Sequence, residues 1–172
     1  IGLLGQYANP EYKSLFAKAV NDSSYSIAGE ALGALAQLDP EAALATAKSF
    51  SKQPMKGKLA ATVSQVLIEG GTEEDFDVIA GNFSKLPVSD SKFEALQPFG
   101  DYLAKLTNTD KVKKGVDMIV EFREAIPSAY KAQTTPFINN MILKGIMNKK
   151  TAAGLKEQAD YIQSKIETKK GF

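Results

Sequence analysis

The sequence of 172 residues has no histidine and no cysteine, and Arg123 is its one arginine. Without histidine, the commonest general base at neutral pH and the commonest transition-metal ligand are missing. Without cysteine, the thiol nucleophile and the thiolate ligand are missing too. Disulfides are likewise excluded, which leaves the compartment open, because many exported proteins have none. No apolar run reaches the ~18 residues of a membrane-spanning helix, and no stretch reads as a signal peptide. The 21 basic and 20 acidic residues are interspersed for a net charge of +1. That balance carries no electrostatic footprint for nucleic acid. The doublets Lys149-Lys150 and Lys169-Lys170 fall at expected helix ends and read as solvated charge.

What is present is a succession of amphipathic helices. Asn9-Pro10-Glu11 is a start signal: a capping side chain, proline at the first helical position, then an acid at the positive end of the helix dipole. Tyr12, Leu15, Phe16, Ala19 and Val20 follow at helical spacing. Asn21-Asp22-Ser23-Ser24 closes that helix and caps the next, which carries Ala28, Ala31, Leu32, Leu35 and Leu38. Asp39-Pro40-Glu41 then repeats the opening signature some thirty positions on, the first sign of a repeat. A second pair runs from Ala42 to Lys52, turns at Gln53-Pro54 and returns through Leu59, Val63, Val66 and Leu67, with a left-handed stop expected at Gly70-Gly71. Thr72-Glu73-Glu74-Asp75 opens a third pair with Phe76, Ile79, Ala80 and Phe83 inward. Pro87 breaks the chain, and a helix from Asp90 to Leu106 is expected to kink or restart at Pro98. Thr109-Asp110 opens a fourth pair presenting Val112, Val116, Ile119 and Ile126 and stopping at Pro127. Its partner, Tyr130 to Asn148, is apolar nearly all round near FINNMIL and is expected to be central, with a kink at Pro136. A last helix, Thr151 to Thr168, shows Leu155, Ala159, Ile162 and Ile166.

No segment alternates at period two, so strands are not expected. The fold class is all-α. About nine helices in antiparallel hairpins fit an α-solenoid, a HEAT- or armadillo-like superhelix, with an ordinary helical bundle as the competing arrangement. The small residues Ala28, Ala31, Gly33 and Ala60 leave room for close helix approach. The chain opens at Ile1 with the apolar IGLLG and no initiator methionine. A processed mature start is one reading of that opening and an excised piece of a larger protein the preferred one; the chain itself is expected to be a single helical-repeat domain, residues 1–172.

Candidate chemistry is sparse. The acids Glu73, Glu74, Asp75 and Asp77 open a helix, where dipole compensation accounts for them; calcium loops want alternating ligands and a glycine at the sharp turn. Ser49, Ser51 and Lys52, like Ser164 and Lys165, read as solvated helix surface, with no strained elbow marking a nucleophile. Gly2, Gly5 and Gly70-Gly71 lack the strand and the lysine of a phosphate loop. Arg123 falls on the apolar stripe between Ile119 and Ile126, where a permanently charged fork needs a carboxylate or carbonyl partner. An internal ion pair, or a side chain snorkelling near the helix end, is the first reading there, and a substrate or partner carboxylate the second. No catalytic, cofactor-binding or metal-ligating residue is assigned.

The stretch NDSSYSIAGEALGALAQLDPEAAL, Asn21 to Leu44, resembles part of the C-terminal helical domain of the gluzincin zinc aminopeptidases, the aminopeptidase N-like metallopeptidases, in its bacterial members. Asp22, Ser24, Tyr25, Leu32, Leu35, Asp39, Pro40 and Ala43 carry the resemblance. It implies a parent hydrolase that removes N-terminal residues from peptides. That parent's catalytic module holds zinc through His-Glu-x-x-His and a distant Glu, none of which occurs in this chain. The implied role of this chain is architectural: a curved helical wall that closes over the catalytic cleft and limits access to short, unfolded peptides. Its implied partners are the catalytic domain of its own parent and peptides passing through the cleft; no cofactor is expected in this chain, and similar bacterial enzymes are commonly periplasmic or exported. Two rivals stand beside it. One is a free-standing HEAT scaffold that binds a protein or peptide on its concave face. The other, ranked last, is a helical enzyme using carboxylate–serine chemistry.

Overall fold

A computed structural model describes residues 9–53 and 55–166, and every regular element among them is helical, with no strand. Ile1, Gly2, Gly5, Pro54, Thr168 and the Lys169-Lys170 doublet lie outside the described residues. The chain divides into two compact units, Ile1–Ile79 and Ala80–Phe172.

The first unit is built on side-chain caps. Asn9 accepts the N–H of Glu11 at 3.0 Å and opens a 3-10 turn, Pro10–Tyr12, that runs into α1 (Lys13–Ala19). The Ser24 hydroxyl accepts from Ile27 to start α2 (Tyr25–Leu38), and Asp39 accepts from Ala42 at 3.0 Å to start α3 (Pro40–Phe50). Each cap satisfies an amide that the first helical turn leaves without a partner. The predicted apolar stripes point inward: Phe16, Ala28, Ala31, Leu32 and Leu35 are buried, while Leu15 stays exposed. α4 (Gly57–Gly70) starts without a side-chain cap; Gly57 enters it at φ +57°, a conformation costly for any residue with a Cβ.

α2 packs against α3 and α4, and α3 packs against α4. Along α2 and α4 the contacts advance together: Gly29 lies against Lys58 and Leu59, Glu30 pairs with Lys58 at 3.2 Å, and Gly33 faces Thr62. The two helices therefore run parallel, in a register of about thirty residues like that of the recurring cap signature. Leu44 of α3 sits instead against Gly70 at the far end of α4, as an antiparallel hairpin requires. The expected left-handed stop at Gly70-Gly71 is not present. Gly70 is helical, and Gly71 is extended at φ −69° and ψ 146°. Space rather than backbone freedom selects Gly71, because a Cβ there would run into the Leu67 carbonyl and the Ile79 side chain.

In the second unit, α5 (Phe76–Lys85, entered from the first unit) buries Ala80 and stacks the ring of Phe83 on that of Phe99, centroids 4.2 Å apart. The expected long helix from Asp90 is two helices, α6 (Asp90–Glu94) and α7 (Leu96–Lys105), parted at Ala95. Pro98 dictates the position of that break. It has no N–H to give the Glu94 carbonyl, so the helix restarts where Pro98 falls within the first turn and the missing donor costs nothing. α8 (Thr109–Ala125) is capped by Asn108, which accepts from Lys111 at 3.0 Å, and buries Val112, Val116, Ile119 and Phe122.

α9 (Ser128–Phe137) passes through a π turn, Ile138–Leu143, into α10 (Lys144–Ala152). Pro136 cannot donate within α9, and the pairing slips downstream until the Lys144 N–H reaches back to the carbonyl of Asn139, five residues earlier. This segment is not the central helix expected from its composition. Ile138, Ile142 and Leu143 are buried, but Met141 is 59% exposed and Phe137 37%. Gly154 at φ +74° ends α10, and α11 (Lys156–Ile166) buries Ala159 and Ile162. Here too, corresponding helices of successive hairpins run parallel. Lys113, Asp117 and Arg123 of α8 meet Glu157, Tyr161 and Lys165 of α11 in order. Gly100 and Ala104 of α7 meet Ile146 and Lys150 of α10.

Two glycine substitutions on one helix should act with opposite sign. A Cβ at Gly29 would sit 2.7 Å from the Lys58 backbone, whereas at Gly33 its nearest neighbour is 3.7 Å away. Urea unfolding should show Gly29→Ala destabilised by about 1–3 kcal/mol, as an overpacked contact is. Gly33→Ala should be stabilised by up to about 1 kcal/mol from helix propensity. Equal effects at both positions would refute the close α2–α4 approach.

Candidate functional site

The acidic segment resolves into a cap. Asp75 accepts from the Thr72 N–H at 2.9 Å and forms an ion pair with Lys48 at 2.8 Å, in a capping box that opens the turn before α5. Burial pulls its carboxyl upward, but Lys48 and the two Thr72 donors outweigh that and leave it below the ordinary aspartate value. Asp39 is treated alike, held low by Lys13 at 2.6 Å and by the Ala42 amide. Zinc takes imidazole, thiolate and carboxylate ligands. The sequence has no histidine or cysteine, and no three carboxylates among the described residues are placed to hold one metal ion. These residues do not fit the zinc that the resemblance assigns to the parent's catalytic module, and no chemical step here runs through it.

Arg123 is 3% exposed. Its Nε donates to Glu124 at 3.0 Å, and its Nη1 donates to Asn139 Oδ1 at 2.6 Å and to the Lys165 carbonyl at 3.1 Å. The internal pair and the carbonyl partner expected of that position are both present, and the guanidinium ties α8 to the π turn and to the last turn of α11. Burial raises the Glu124 carboxyl, and Arg123 together with Lys131 more than reverses the effect. Lys150 departs from expectation. It is fully buried, not solvated, and its ammonium donates to the carbonyls of Ala104 and Leu106 at the end of α7. A cation placed on orphan carbonyls at a helix C-terminus satisfies both partners at once. The Ser–Lys candidates hold no nucleophile geometry: Ser51 donates to the Lys48 carbonyl, Ser164 to the Tyr161 carbonyl, and Lys165 pairs with Asp117 at 2.6 Å.

Each unit carries an open groove among the described residues. The first, of about 550 Å³, runs between α2 and α4. Gly29, Gly33, Ala34 and Ala36 line one wall together with Glu30 and Gln37; Lys58, Thr62, Gln65 and Glu69 line the other. Gly33 leaves room in it, a Cβ there being 3.7 Å from its nearest neighbour, and the polar side chains around it are the amides of Gln37 and Gln65 and the charges of Glu30, Lys58 and Glu69. Sequence reading found Gly33 as a small residue but not the groove, because the pairing of α2 with α4 is a long-range fact. The second groove, of about 420 Å³, lies among the start of α6, the end of α8 and α9, with Phe93, Phe122 and Tyr130 in its walls. Its only sequence signal is the spacing of Tyr130, Thr134 and Phe137 along α9.

The residues that carry the family resemblance serve the fold of the first unit. Ser24 and Asp39 are caps, Pro40 opens α3, and Leu32, Leu35 and Ala43 are buried. Tyr25 opens α2 and is 44% exposed. No family model matches the chain, and no curated protein or solved structure matches it. Among the described residues no helix is long and apolar enough to cross a membrane.

The Lys48–Asp75 contact gives the chain a pH signature. Because folding lowers the Asp75 pKa, its contribution is complete above the ordinary carboxylate range, about pH 4, and is lost as pH falls through the folded value. Asp75→Asn should cost about 1–3 kcal/mol at pH 7. The gap to the unmodified chain should close as unfolding is followed toward pH 2; a gap that persists there would remove the electrostatic cause. Lys150→Met, which keeps the stem but strands two carbonyls, should cost about 2–4 kcal/mol by urea unfolding at constant pH.

Proposed function

We propose that this chain is the non-catalytic C-terminal helical domain of a zinc metallo-aminopeptidase, an α-solenoid of HEAT or armadillo type that walls the active-site cleft and restricts it to short, unfolded peptides. The observation that carries the reading is the register of α2 and α4. Successive hairpins place like helices side by side and parallel, the relation between neighbouring repeats in a helical wall. The Asp22–Ala43 motif supports it, since its residues cap and bury the two helices, α2 and α3, of the first hairpin. The groove between α2 and α4 offers a surface lined by amides and charged side chains, of the sort an extended peptide passes along. That same groove favours a second reading, a HEAT-repeat scaffold that binds a protein or peptide partner with no catalytic domain attached.

The test begins with the coding DNA upstream of Ile1. An in-frame His-Glu-x-x-His followed by a second Glu is the expected result; a start codon adjoining Ile1 transfers the proposal to the scaffold reading. In the parent enzyme, removal of residues 1–172 should lower its thermal stability or let it trim longer peptides. Peptide-ladder digestion read by mass spectrometry checks this, and an unchanged length limit together with unchanged stability would sink the gating role.

A further inference from the structure

The groove of the second unit combines exposed apolar surface with one carboxylate, Asp90, that forms no ion pair among the described residues. Val88 and Tyr130 on its rim are 51% and 61% exposed, and Phe122 and Ile126 form its buried floor. Phe93, in the wall, packs on Phe137 at 5.2 Å between centroids, which carries the apolar surface onward along α9. Asp90 is the one ionised group in the lining. Two cations of this unit are committed elsewhere: Lys92 donates to the Ser84 and Leu86 carbonyls at 3.2 and 3.1 Å, and Lys131 pairs with Glu124 at 3.5 Å. Asp90 stands at the head of α6, a helix of five residues, which offers it only a short dipole. The rings add to the carboxylate's preference, because their faces attract cations; the Lys92 ammonium already lies 5.9 Å from the Phe122 centroid.

We propose that this groove is a docking site for a partner protein segment that presents a large apolar side chain beside a lysine or arginine. The apolar side chain fills the slot between Phe93, Phe122 and Tyr130, and its basic neighbour meets Asp90. A volume of about 420 Å³ accommodates an aromatic side chain with room for the flanking backbone. An acidic neighbour would instead face the Asp90 carboxylate with a like charge, so the charge of that neighbour sets the specificity. The assignment stands apart from the aminopeptidase reading and from the α2–α4 groove.

The chain has no tryptophan, so indole emission from an added peptide reports on that peptide alone. The whole chain is titrated into acetyl-Gly-Trp-Arg-Gly-amide and, separately, into acetyl-Gly-Trp-Glu-Gly-amide. The expected result is a blue shift for the arginine peptide, with a dissociation constant at least about tenfold below that of the glutamate peptide. Asp90→Asn should bring the two to within about twofold, and Tyr130→Ala should weaken both. Equal affinities for the unmodified chain, no blue shift up to millimolar concentration, or a preference that survives Asp90→Asn would each overturn the proposal. The comparison of the two peptides needs no variant, so a variant that folds poorly does not rescue it.

Discussion

Short helices joined by short turns leave many backbone groups without intrahelical partners, and the structure depends on how these are met. The two units use opposite means. In the first, carboxylates sit at helix N-termini and a lysine of an earlier helix holds each one: Lys13 on Asp39, Lys48 on Asp75. In the second, long cationic side chains reach across to the carbonyls that end another helix. Lys92 serves the end of α5, Lys150 the end of α7 and Arg123 the end of α11. Each contact closes a helix end and sets a neighbour's position at once, which is how polar groups contribute to a core made mostly of Leu, Ile, Phe and Ala.

The local part of this scheme was legible in the sequence. Asn9, Ser24, Asp39 and Thr72 announce helix starts through residue type and the spacing to the following amide, and all lie where a start occurs. The apolar stripes were legible for the same reason, since a 3.6-residue period is a local property. What escaped depends on which helix meets which. Lys150 beside Lys149 looks like a solvated doublet until α7 is placed against α10. Gly71 looks like a left-handed stop until the Ile79 side chain is placed over it. FINNMIL reads as central because composition alone cannot show that Met141 faces outward.

The same distinction governs the functional surfaces. No nucleophile, base or metal set was assigned from the sequence, and the buried ionisable residues Asp75, Arg123 and Lys150 are engaged as caps and ties. Both grooves arise between elements distant in sequence, so neither had a motif to announce it. The α2–α4 groove follows from two glycines that admit close packing, and the aromatic groove from three segments meeting at Pro127. Their chemistry differs accordingly: amides and paired charges in one, rings with a single carboxylate in the other.

The π turn at Ile138–Leu143 holds more residues per turn than the helices flanking it. Loss of one residue there would be absorbed by reversion to ordinary α-helix, with α9 and α10 left in their places. The same loss within α8 would swing every later side chain by about 100° and turn Arg123 away from Asn139. The chain thus carries a point of slack in length next to one of its most tightly tied positions, and one-residue insertions and deletions among its relatives should gather at the first and avoid the second.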